Sequence, residues 1–108
     1  MCASRIIIEA ESLPPVHPGE FLREEFSIGG GLSLADVAGA TGIDTQRLAD
    51  IVAERADIDG AIDLRLARYF SVSDGLFLGL QHQYELDCAR RDAGPALAAI
   101  TPLQTAAE

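Results

Sequence analysis

The chain has 108 residues, 48% hydrophobic and 23% charged, which suits one compact domain and is short for two. Seventeen acids face eight bases, every one an arginine, for a formal charge of −9. That balance excludes a polybasic membrane anchor and weakens any role that needs a broad basic surface. No run approaches the roughly 18–20 apolar residues of a membrane span. The first residues hold one arginine and a three-isoleucine run, without the pattern of a secretory signal, so a cytoplasmic protein is expected. Cys2 and Cys88 lie far apart and fit no metal spacing, so they read as reduced thiols. Neither a metal nor a cofactor is expected.

The predicted elements follow in chain order. Residues 1–16 form an N-terminal arm. Its Arg5-Ile6-Ile7-Ile8-Glu9 stretch is β-branched and reads equally as a short strand or as an arm on the core. Pro14-Pro15 closes it. His17-Pro18-Gly19-Glu20 starts the first helix, with His17 as the cap and proline at the first helical position, and the helix runs to about Phe26. Gly29-Gly30-Gly31 then breaks the chain. No Gly-Lys-Ser/Thr follows, so this is not a phosphate loop. Ser33 caps a second helix and pairs with Asp36 in a capping-box-like arrangement. Thr41-Gly42-Ile43 interrupts it, and Asp44 or Thr45 caps a third helix through about Ala53. Two short helices joined by a glycine turn have the form of a helix-turn-helix. Asp59 caps a fourth helix to Phe70, with Ile62, Leu66 and Phe70 on one stripe. Ser73 or Asp74 caps a fifth, with Leu76, Leu80, Tyr84 and Cys88 at every fourth position. The fifth helix ends near Arg90-Arg91, where positive charge suits the helix dipole, and Gly94-Pro95 closes it. The expected architecture is all-α, a five-helix domain over 17–92 with a C-terminal tail over 93–108, which reads either as loose or as a short helix ordered on a partner.

Several sequence words resemble the HigA-type antitoxins, a branch of the lambda-repressor-like (XRE) helix-turn-helix family. They are Pro15-Val16-His17-Pro18-Gly19-Glu20-Phe21-Leu22-Arg23-Glu24-Glu25-Phe26, Gly31-Leu32-Ser33, Leu64-Arg65-Leu66-Ala67-Arg68-Tyr69-Phe70, Leu80-Gln81 with Tyr84 and Leu86, and Ala89-Arg90-Arg91. They stand in the family's order and at its spacing. The resemblance implies a lambda-repressor-like fold. It also implies an antitoxin that neutralises a small basic ribonuclease toxin and represses its own operon as a dimer. The helix-turn-helix departs from the family pattern. Leu34 stands where glutamine is common and Gly39 where lysine is common. Ala53-Glu54-Arg55-Ala56 replaces Asn-Gly-Lys-Arg. Between Ser33 and Asp59 lie six acids (Asp36, Asp44, Asp50, Glu54, Asp57, Asp59) and two arginines (Arg47, Arg55). This segment therefore starts with a deficit for phosphate neutralisation.

In such an architecture the third helix enters the major groove. Its first residues are Thr45, Gln46 and Arg47. Glutamine can pair with adenine, arginine with guanine, and threonine with a thymine methyl or a phosphate. Ser33 at the start of the second helix and Arg55 beyond the third are candidate phosphate contacts. Plainer readings stand beside these. Thr45 caps a helix, Gln46 is solvated, and Arg47 pairs with Asp50 or Glu54.

The net acidity suits a basic ribonuclease better than DNA. Candidate toxin surfaces are Glu20, Glu24 and Glu25 on the first helix, and Glu9 and Glu11 on the arm. The fifth helix and tail are the candidate homodimer surface, through Leu76, Phe77, Leu80, Tyr84, Leu86 and Cys88, and the plainer reading is that the fifth helix only covers the five-helix core. No nucleophile–base arrangement is visible, so an enzyme is not expected. His17 and His82 lie too far apart in sequence for a zinc pair. The alternatives are a protein-interaction module on the same fold without DNA binding, or a stand-alone transcriptional regulator.

Overall fold

A computed structural model describes residues 14–103. The arm's Ile6–Ile8 run, Glu9 and Glu11 lie outside the described residues. Five helices follow in order: α1 Pro18–Glu25, α2 Leu34–Thr41, α3 Thr45–Val52, α4 Gly60–Phe70 and α5 Leu76–Ala98.

Local side chains start the first four helices. His17 Nδ1 accepts the Gly19 N–H at 2.9 Å, Ser33 Oγ the Asp36 N–H at 3.3 Å, Asp44 Oδ2 the Arg47 N–H at 3.0 Å, and Asp59 Oδ1 the Ile62 N–H at 2.9 Å. Each satisfies an N–H that has no partner inside its own helix. The triple glycine is a tight turn. Gly29, at φ +90°, donates to the Leu32 carbonyl at 2.7 Å, and Leu32 donates back to Ser27 at 2.9 Å.

The helices close over Leu22, Ile28, Val37, Leu48, Ile51, Leu66 and Phe77, all at most 1% exposed. Phe21, Phe26 and Phe70 ring Phe77, with Phe26 and Phe70 centroids 4.4 Å apart. Edge and tilted contacts of this kind add to the area buried.

The fifth helix differs from expectation in three ways. Neither Ser73 nor Asp74 caps it. Its N-cap is Gly75, with no side-chain cap bond. Instead buried Asp63 of α4 accepts the Gly75 N–H at 2.6 Å and the Leu78 N–H at 2.8 Å. One helix thus caps another.

The buried face of α5 is the second difference. It holds Phe77, Gln81 and Cys88 rather than a strict every-fourth stripe. A period of four drifts around a helix of 3.6 residues per turn, so Leu76 and Leu80 fall to the flank. Buried Gln81 is satisfied at both ends. Its Oε1 accepts the Ile58 N–H at 2.9 Å, and its Nε2 donates to Glu85 at 3.1 Å.

Third, α5 does not stop near Arg91. It bends at Ala93 (φ −114°, ψ 19°) and continues through Pro95 to Ala98. Proline lacks the N–H and crowds the carbonyl four residues back, so it bends a helix without having to end it. Residues 94–98, assigned to the tail, are therefore helical and continue the fifth helix past the bend. Residues 104–108 lie outside the described part.

Candidate nucleic-acid interface

The α2–turn–α3 unit is built from its turn outward. Gly42 takes φ +78°, the left-handed conformation glycine adopts at low cost, and its N–H reaches the Ala38 carbonyl at 2.9 Å. Thr41 Oγ1 donates to the Val37 carbonyl at 2.7 Å and accepts the Ile43 N–H at 3.3 Å. Ile43 enters the core beside Leu48 and Ile51. The inner face of α3 is thereby fixed, and Thr45 and Gln46 stand exposed on the outer one.

Acids hold the arginines around α3. Arg47 leans away from the start of its helix and over the α3–α4 loop. There Nη2 donates to the Asp57 carbonyl at 2.9 Å and lies 3.6 Å from Asp59. The expected Arg47 pairing with Asp50 or Glu54 is not formed, because other arginines hold both acids. Arg55 Nη2 sits 3.0 Å from Asp50 Oδ1, and Arg23 of α1 sits 2.8 Å from Glu54. Arg23 also donates to the Val52 carbonyl at the end of α3. Glu54 occupies φ +66°, a conformation costing a side-chain-bearing residue about 1–2 kcal/mol. Its Arg23 contact partly offsets that strain.

Of the sequence candidates, Gln46 and Arg55 come together. Both donate to one oxygen of Asp50, each at 3.0 Å. Ser33 lies apart, at the amino end of α2, where its hydroxyl is the cap. Thr45 is the first residue of α3 and Asp44 is the cap. The part played by Asp50 was missed in the sequence. Its signal was the i, i+4 spacing from Gln46, at which glutamine–aspartate bonds form on helices.

No protein-family model matches the chain. The chain is 38% identical over 93 residues to virulence-associated protein I of Dichelobacter nodosus, covering 86% of this chain and 85% of that one. Its backbone is similar to the Pseudomonas aeruginosa antitoxin HigA solved with the higBA promoter. The TM-score is 0.76 and the identity 36%, over 83% of this chain and 99% of that one. The addiction-module antidote protein of the HigA family from Coxiella burnetii matches with TM-score 0.78 and 30% identity, over 84% and 100% of the two chains.

The chain belongs to the HigA antitoxin family.

This HigA-family chain anchors the loop after α3 through a buried histidine. His17 is 2% exposed, with its ring edge-on to Tyr84 at 4.9 Å and a hydrogen bond to the Ala56 backbone. Burial pushes its pKa below the usual value. Glu54, Asp57 and the Ala56 hydrogen bond oppose the shift, and Arg23 adds to it. The neutral ring is also what the cap demands, since Nδ1 must accept from Gly19.

Above about 6.5 the ring is neutral in both folded and unfolded chains, and the fold keeps its full stability. As pH falls from there toward the lowered folded value, the unfolded chain takes up the proton first and stability declines. Urea titrations across this window should show that decline in the native chain. It should be missing in His17→Asn, which keeps a capping side chain without the titration. Equal slopes in the two proteins would remove His17 as the cause.

Among the described residues no helix is long and apolar enough to cross a membrane.

Proposed function

We propose that this chain is an antitoxin that represses its own operon by binding operator DNA as a dimer. The observation carrying the DNA part is the exposure of Thr45 and Gln46 at the start of α3, set on a helix-turn-helix like that of the Pseudomonas relative solved with its promoter. The antitoxin GraA, solved with its operator, shares this backbone at TM-score 0.78 and 30% identity, over 93% of this chain and 100% of that one. Thr45 and Gln46 would meet base edges in the major groove, with Ser33 and Arg55 on phosphates. Arg47 would reach a base only after leaving the Asp57 carbonyl and Asp59.

The toxin part rests on charge. Glu20, Glu24 and Glu25 project from α1 into solvent. A basic ribonuclease would be drawn to such a face and covered by it.

The dimer part rests on the fifth helix and tail, where only some of the expected apolar residues are open to a second copy. Phe77 and Cys88 are buried within the protomer, and Leu76 packs on the core. On the fifth helix and the residues after it, Leu86, Leu97, Ile100 and Leu103 are exposed. A second copy would cover these residues.

Fluorescence anisotropy on the chain's own upstream DNA tests the assignments. Arg55→Ala should weaken binding to the operator duplex and reduce its salt slope by about one unit. Gln46→Ala should weaken the operator by roughly 1–3 kcal/mol and leave an unrelated duplex unchanged. Equal losses on both duplexes for Gln46→Ala would remove it from base reading. Co-purification with a small basic protein encoded beside the chain tests the antitoxin part, and its failure would favour a stand-alone regulator.

A further inference from the structure

We infer that Asp50 is a specificity-determining residue, which positions the amide of Gln46 for adenine and keeps Arg55 from phosphates until a matched site is met. This rests on the operator-binding reading above. Asp50 lies one helical turn after Gln46 on α3. Its Oδ1 accepts from Gln46 Nε2 and from Arg55 Nη2, both at 3.0 Å.

The chemistry of an amide decides what this contact does. Glutamine has two N–H donors on nitrogen and one acceptor oxygen. A carboxylate can only accept, so it draws the nitrogen toward itself and turns the oxygen away. One N–H is then held by Asp50. The other N–H and Oε1 remain, side by side, as a donor–acceptor pair. Adenine offers the complement in the major groove, N7 as acceptor and the N6 amino group as donor. Asp50 orients Gln46 for this pairing without consuming it.

The second effect is electrostatic. Non-specific binding is driven by phosphate neutralisation, and Arg55 is the exposed cation beyond α3. Held on Asp50, it offers little to an arbitrary backbone. The Asp50 charge also repels one. A matched site supplies the Gln46–adenine contact as well, which compensates for releasing Arg55. Asp50 therefore lowers affinity for random DNA more than for the operator.

The test uses the full chain with Asp50→Asn, which keeps size and polarity but can present its own amide in either sense to Gln46. Asp57→Asn serves as the control, because it removes a charge from the same segment without touching Gln46. Anisotropy is read on the operator duplex, on operators with each A·T pair of a half-site changed to G·C in turn, and on an unrelated duplex. Circular dichroism confirms that each variant is folded.

In the native chain one A·T change should weaken binding by roughly 5- to 100-fold, and Gln46→Ala should abolish that penalty. Asp50→Asn should also level the penalty at that position. At the same time it should bind the unrelated duplex more tightly, with a salt slope steeper by about one unit. Asp57→Asn should keep the penalty. A full penalty in Asp50→Asn at the position Gln46 reads would overturn the inference and leave operator binding standing. A native chain with no preference for its operator would overturn both.

Discussion

Asp63→Ala is expected to destabilise the fold by about 3 kcal/mol, enough to lower Tm by roughly 10–20 °C in a domain of this size. Asp63 is 2% exposed and accepts two backbone N–H groups at the start of α5, from Gly75 and Leu78. Alanine leaves both donors buried in part and unmet. Nothing local replaces them, because α5 has no side-chain cap of its own. The amino end of α5 carries Phe77, the centre of the aromatic cluster, so loss of the cap loosens the core as well. Asp63→Asn should recover only part of the loss. It offers one acceptor oxygen where the carboxylate offers two, and its amino group meets the second N–H donor to donor. Thermal unfolding followed by circular dichroism measures the series, and an Asp63→Ala chain as stable as the native one would contradict the cross-capping role.

Gly19→Ala is expected to cost as much, about 3 kcal/mol, through overpacking. A methyl group there would overlap the Ile51 carbonyl oxygen and lie 3.1 Å from that of Val52. These are backbone atoms, so no side chain can swing aside. Either α1 or α3 must move. The same junction holds Arg23 against Val52 and Glu54, so the displacement also shifts the end of the proposed recognition helix. Gly39→Ala makes the contrast. That position lies in the exposed interior of α2 with nothing within 4 Å. There alanine should stabilise by about 0.5–1 kcal/mol through helix propensity. Opposite signs for the two substitutions in one denaturation series would place the constraint at the α1–α3 contact. A loss at Gly39 equal to that at Gly19 would argue for a general intolerance of alanine instead.

Much of the fold was legible in the sequence because its signals are local. His17, Ser33, Asp44 and Asp59 each cap a helix two or three residues ahead, and Gly42 turns the chain within one residue. What escaped reading acts over distance. Asp63 serves donors 12 and 15 residues on, and Gln81 serves one 23 residues back. Neither bond has a helical spacing to betray it. Pro95 and Gly94 looked like a stop and proved to be a bend, since the chain regains helical geometry after Ala93. The candidate interface was half legible. Spacing placed Thr45 and Gln46 on the outer face of α3. It also suggested ion pairs for Arg47, but which acid each arginine takes depends on the paths of α1 and the α3–α4 loop. Glu54 went to Arg23 from another helix, Asp50 to Arg55, and Arg47 to the loop.

An acidic helix-turn-helix that still reads DNA must distinguish its own operator from arbitrary sequence despite its charge. The full chain is titrated by fluorescence anisotropy against its own upstream duplex and against an unrelated duplex of equal length, at near-physiological salt. Operator repression predicts a preference for the upstream duplex on the order of 10³-fold or more. Equal affinity for the two duplexes, or loss of both as salt rises to that level, would contradict it and point to a helix-turn-helix that holds only proteins.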